Sequence, residues 1–230
     1  MARSVRIAET PPRFSLQVHT VELLADEIYR VRLDPHPLPW EPGDCVTIHA
    51  PDADEGRPYS FSGPPNAPYS EFWIRKFPEG RVSNFLTNLE RGEAVEVSPP
   101  FGWFRPGVSD QSPKIFIATG TGIAPFLSAL SVKECSPEVV LWGMRHPLPV
   151  PGVLASQPLI CACSRERSTG AVQGRVTDHI DALDLSQNPH IYLCGLDEMI
   201  KEVSELLRAR WVSDSRIHSE CFFTSSTSSS

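Results

Sequence analysis

The sequence predicts two domains: an antiparallel six-stranded β-barrel, then an α/β domain around a parallel five-stranded sheet. Three observations carry this. The chain has 230 residues, more than one typical domain needs. Its first half is a series of short β-branched and aromatic runs separated by Gly, Pro and Asp. After the proline- and glycine-containing stretch near Phe104–Gln111, apolar runs begin to alternate with helical ones, the pattern of a parallel sheet covered by helices.

The first-half strands are FSLQVH, IYRVRL, CVTIHA, RPYSFS, EFWIRK and AVEVS. Several alternate apolar and polar residues, as strands with one buried face do. One helix interrupts them: VSNFLTNL places Val82, Phe85, Leu86 and Leu89 on one face. In the second half the strands are KIFIA, EVVLW, LICACS, HIYLCG and RIHSECFF. The helices are the segment beginning near IAPFLSAL, VTDHIDAL and the amphipathic LDEMIKEVSELLRAR. The proline-rich HPLPVPGVLASQP leaves room only for an abbreviated helix. The boundaries are therefore an extension over 1–13, a barrel over 14–105, a linker over 106–111, an α/β domain over 112–223 and a serine-rich tail over 224–230.

Net charge is −7 and the isoelectric point about 5.5, which argues against nucleic acid as the main partner. The start MARSVRIAETPPR lacks the apolar core of a signal peptide, and no apolar run nears the ~20 residues of a membrane span. The six cysteines show no CxxC pair and no zinc spacing, so no metal site is expected. Reduced thiols and a cytoplasmic location follow as expectations.

ATGTGIAPF, Ala118–Phe126, follows an apolar run and opens a helix. Gly120 and Gly122 allow close backbone approach, and a helix start suits a pyrophosphate. Pro125 stands where a third fingerprint glycine would be, and a glycine turn with no ligand is the alternative. SRERSTGAVQGRV, Ser164–Val176, follows a strand at its carboxyl end; Ser164, Arg165 and Arg175, joined by Arg145, can hold a phosphate. The absence of an acidic residue in WGMRHP tilts the reading from NAD to NADP, against the bland reading of a solvated basic loop. Cys194 and Gly195 in CGLDEM lie at the same crevice, where a cysteine is also an ordinary buried apolar residue. Phe222 and Phe223 can fill a core or lie flat on a ring, with Glu220 nearby.

In RPYSFSGPP, Arg57 can pair with a diphosphate, Tyr59 can stack on a planar ring, and Ser60 can hydrogen-bond a ring edge. GRVSNFL adds Gly80 and, at a helix start, Ser83. Ring stacking, ring-edge hydrogen bonds and diphosphate neutralisation are together what a flavin dinucleotide needs.

The order RPYS, GRVSNFL, PPFGWF, GTGIAPF, WGMR, SRE, GRV, CGLDEM and ECFF, spanning about Phe14–Phe223, resembles the ferredoxin–NADP reductase superfamily, in particular its bacterial ferredoxin/flavodoxin reductases. The resemblance implies FAD in the barrel and NADP(H) in the α/β domain. It implies FAD contacts from Arg57, Pro58, Tyr59, Ser60, Ile74, Arg75, Gly80, Arg81, Val82, Ser83, Phe222 and Phe223. It implies NADP contacts from Gly120, Thr121, Gly122, Arg145, Ser164, Arg165, Arg175, Cys194 and Gly195. Ser60, Cys194 and Glu220 would converge on the reacting centre, and a terminal aromatic would gate access to the ring. The implied activity passes electrons between NADPH and a one-electron carrier, ferredoxin or flavodoxin, in a monomer. Arg75, Lys76, Arg81 and Arg91 are candidate docking cations. The alternatives are a reductase component of an oxygenase system, a flavin or ferric reductase, or a regulatory subunit that binds without turnover.

Overall fold

The computed structural model describes residues 12–51, 56–107, 112–132 and 135–223. The expected tail, most of the N-terminal extension, residues 108–111 of the linker and the Phe223 side chain lie outside these.

All six expected barrel strands form: β1 (Phe14–Ala25), β2 (Ile28–Leu33), β3 (Cys45–His49), β4 (Arg57–Ser60), β5 (Ser70–Arg75) and β6 (Ala94–Val97). Their order is β4-β3-β6-β1-β2-β5, and each neighbouring pair is antiparallel. An antiparallel bridge between Phe61 and Phe72 joins the outer strands and closes the sheet into a barrel. Closure removes the open edges that would otherwise invite pairing with another chain. The alternating inward residues Leu16, Val18, Val31, Leu33, Val46, Ile48, Phe72, Ile74, Val95 and Val97 fill its core. Helix α1 (Arg81–Thr87) adds Val82 and Leu86 to that core.

The second sheet is parallel throughout. It holds β7 (Lys114–Thr119), β8 (Val139–Met144), β9 (Leu159–Cys163), β10 (Val172–Gln173), β11 (His190–Leu196) and β12 (Ile217–Phe223), in the order β10-β9-β8-β7-β11-β12. Five of these strands match the expectation. The sixth, β10, is a two-residue edge pairing with no apolar run to announce it. Helices α2 (Ala124–Leu130), α3 (Gly152–Ala155) and α4 (Asp197–Ala209) connect the strands. α3 has four residues, short as the prolines require. VTDHIDAL differs from the expected helix in kind: Val176–Ala182 forms a 3₁₀ helix that buries only Val176 and Ile180. Two inward contacts are satisfied by a tighter, shorter turn. Among the described residues no helix is long and apolar enough to cross a membrane.

The two sheets share a core. Ile28 and Trp73 of the barrel pack in one cluster with Phe104, Phe116, Phe126, Trp142 and Tyr192, and Trp73 meets Trp142 edge-on at 6.0 Å. The connection after the barrel is therefore anchored, through Phe104, into the second domain.

Candidate functional site

Two connected cavities lie between the barrel and the parallel sheet. The larger, about 920 Å³, is lined by Arg57, Pro58, Tyr59 and Ser60 of β4, Trp73 and Arg75 of β5, residues 79–83, Cys45, Thr121, and Glu220, Cys221 and Phe222 of β12. Strand alternation explains the β5 contribution: Trp73 and Arg75 share one face and Ile74 the other. Ile74 is fully buried in the barrel core. Its side chain is therefore a core residue, and Trp73 takes the place on the wall that the sequence assigned to Ile74.

Ser60 and Glu220 lie 160 residues apart in sequence, yet Ser60 Oγ donates to Glu220 Oε2 at 3.4 Å. Burial raises the Glu220 carboxyl to about 7, against the Ser60 hydrogen bond and the charge of Arg105, which both pull it down. Burial likewise pushes the Tyr59 phenol up and the Cys45 thiol to about 12. Ser83, also buried, has its hydroxyl tied into the loop: it donates to Gly80 O at 3.0 Å and accepts from Phe77 N–H at 3.2 Å. It shapes the loop that carries Arg81 past the cavity. Phe222 is half-buried and packs against the shared core while lining the cavity.

The smaller cavity, about 300 Å³, lies at the carboxyl ends of β7, β8, β9 and β11. Gly120, Thr121, Arg145, Ser164, Arg165 and Arg175 all line it. The two loops with the first cations are tied together, Arg165 N–H donating to Arg145 O at 3.1 Å and Ser164 N–H to Met144 O at 3.0 Å. Arg75 reaches this cavity as well as the first, as do Phe77 and Thr121. Burial, then the nearby Arg145 and Arg165, hold the Arg75 guanidinium below its usual pKa. Several guanidinium groups gathered in one cleft form a site that a polyanion stabilises.

Gly122, Cys194 and Gly195 line neither cavity. They are the packing beneath them. A Cβ on Gly122 would lie 2.4 Å from the Cys194 carbonyl oxygen, so the glycine turn after β7 rests directly on β11. Gly195, at φ +141°, sits against Thr119. Cys194 is fully buried, and burial drives its thiol well above the ordinary value. In register it is the β11 partner of Glu220. Of the four cations named for docking, Arg75 and Arg81 face the cavities and Lys76 lies 6.0 Å over the Tyr29 ring. Cys45, Trp73, Phe77, Glu79 and Cys221 are lining residues that the motifs did not reveal. Only Trp73 carried a signal, its two-residue spacing from Arg75.

The cavity walls hold a half-buried aromatic, a part-buried hydroxyl–carboxyl pair at one edge, and Arg57 and Arg81 beyond, groups whose chemistry suits a flavin dinucleotide. Residues 15–105 match the family described as the oxidoreductase FAD-binding domain. With the two-domain fold, which is that of ferredoxin–NADP reductase-type proteins, this match supports the resemblance to the ferredoxin–NADP reductase superfamily. Among particular proteins, it is 30% identical to the toluate 1,2-dioxygenase electron transfer component of Pseudomonas putida, over 82% of this chain and 60% of that one. It is 29% identical to the naphthalene 1,2-dioxygenase system ferredoxin–NAD(P)(+) reductase component, also from Pseudomonas putida, over 84% and 63%. The chain thus spans about six tenths of the length of these relatives. A Neisseria gonorrhoeae ferredoxin NADP+ reductase, solved with FAD and NADP bound, superposes with a TM-score of 0.77 at 16% identity, covering 92% of this chain and 99% of that one.

Proposed function

We propose that the chain is the FAD-dependent reductase component of an oxygenase system, taking electrons from a nicotinamide nucleotide and passing them to a ferredoxin-type carrier. The observation that carries this is the pairing of Ser60 with Glu220, from different domains, at a cavity that continues through Arg75, Phe77 and Thr121 into an arginine-lined cleft. The relatives' names favour this alternative over a general ferredoxin or flavodoxin reductase.

FAD, when bound, supplies two-electron exchange with a nicotinamide and one-electron release. The chain's own residues orient and protect. Tyr59 forms the wall for a ring, Arg57 and Arg81 offer charge to the diphosphate, and Ser60 holds a ring edge. Glu220, with its pKa near 7, can hold or give up a proton at Oε2 beside Ser60 at neutral pH. Arg145, Arg165 and Arg175 support NADPH over NADH, because only NADPH has a 2′-phosphate for them to bind. Cys194 would act from beneath the cavity as a positioning residue, and Phe222 would cover one face of a ring held there and have to move for a nicotinamide to reach it.

The test is one purified sample. A yellow protein that oxidises NADPH faster than NADH and reduces an added ferredoxin meets all parts of the proposal. A colourless protein that oxidises neither nucleotide refutes it, and revives the regulatory subunit.

A further inference from the structure

The loop after β6 adjoins the larger cavity through Cys45. Cys45, a wall of that cavity, bridges to Phe101: Cys45 N–H donates to Phe101 O at 2.7 Å and Phe101 N–H to Cys45 O at 2.9 Å. The residues around Trp103 are held in place. Phe104 is buried edge-on against Phe126 and Tyr192. Gly43 presses so close that a Cβ there would lie 1.8 Å from the Phe104 carbonyl oxygen. Arg105 Nη2 donates to Asp44 Oδ1 at 2.7 Å and to Gly102 O at 3.1 Å.

Between these anchors Trp103 is 97% exposed and Phe101 47%. A loose loop would give such exposure trivially. Here the flanking residues are pinned, so the indole is presented to solvent with little freedom left to lose on binding. Tryptophan is also among the residues that most often carry interface energy. The charges beside it are already matched, Arg105 with Asp44 at 2.7 Å and with Glu41 at 3.4 Å. The loop therefore offers aromatic surface beside near-balanced charge, while Arg57, Arg75 and Arg81 line the cavity itself.

We infer that Trp103 and Phe101 are the docking anchor for the one-electron carrier, and that the carrier's contact face is apolar and weakly charged around its redox centre. This rests on the reductase reading above. A carrier must bring its redox centre close to the cavity, and the loop that meets Cys45 is beside it. A strongly acidic contact face would meet Glu41 and Asp44 beside the indole, with Arg105 already paired to both.

The experiment uses the FAD-loaded protein with NADPH as donor and two acceptors: the ferredoxin of the naphthalene dioxygenase system and ferricyanide. Trp103→Ala should raise KM for ferredoxin about tenfold or more and leave ferricyanide reduction and the flavin spectrum unchanged. Trp103→Phe should recover most of the loss. Salt up to about 0.3 M should change the wild-type KM for ferredoxin less than about threefold, as expected of a contact with little net charge. An unchanged KM in Trp103→Ala overturns the inference. So does a steep salt dependence indifferent to Trp103, or a wild-type dimer that Trp103→Ala dissociates with KM intact, which would give the patch to a second copy of the chain. A wild-type protein that reduces ferricyanide but not ferredoxin sinks the reductase reading itself, and this inference with it.

Discussion

The two cavities hold their polar groups in opposite ways. In the larger one the decisive groups sit on strands and are withdrawn from water: Ser60 is buried, Tyr59 and Glu220 partly so. In the smaller one Arg145, Arg165 and Arg175 are exposed on loops at strand ends, and the buried part is the glycine turn beneath them. The difference separates holding from choosing. Buried groups in low dielectric have shifted protonation and strong contacts, so their loss should cost the ligand or the fold. Exposed cations contribute increments, so their loss should change preference between similar ligands.

Tyr59→Ala tests the holding side most severely. Removing the ring wall should weaken FAD binding about 10- to 100-fold, read as flavin content after gel filtration. Retention of a full complement of flavin would break the comparison at its strongest point. Glu220 gives the next largest effect, through stability. Its folded pKa, about 7, lies above the ordinary carboxylate value, so the folded state keeps a proton that the unfolded state has released. Stability contributed by this group is complete below pH ~4.5 and falls as the pH rises to about 7, by on the order of 3 kcal/mol. Glu220→Gln should therefore match wild type at pH 5 and exceed it at pH 8 in denaturant titrations.

On the choosing side, Arg165→Ala should lower the NADPH-over-NADH preference about tenfold, by raising KM for NADPH alone. An equal loss with both nucleotides would show that the cation serves the shared pyrophosphate, and would blur the contrast. The smallest effect is expected at Phe222. Phe222→Ala should improve NADH use about two- to threefold by relieving a shield that only the better-anchored nucleotide displaces. If both nucleotides behave as in wild type, Phe222 is core filling and no gate.

How much of this could be read from the sequence follows the same division. Period-two alternation exposed all six barrel strands, and RPYS named its cavity residues because neighbours on a strand have fixed directions. Ile74 came from the resemblance and not from strand parity, which puts Trp73 and Arg75 on the wall and Ile74 in the core. The cations of the smaller cavity were found because strand ends in an open sheet converge. The fate of Cys194 was not legible, since it depends on how closely Gly122, 72 residues earlier, approaches β11. Nor was the place of Arg75 and Arg81 on the cavity walls, for exposure of a charged side chain is a property of the assembled surface. β10 has no apolar pattern to find.

Strand β12 pairs with β11 on one side only, being the last in its sheet, and it carries Glu220, Cys221 and Phe222. Edge-strand amides are among the first to open to solvent. Deuterium uptake along residues 217–222 should thus slow when the neighbouring cavity is filled, and return when the ligand leaves. The strand would report occupancy of the cavity without any turnover.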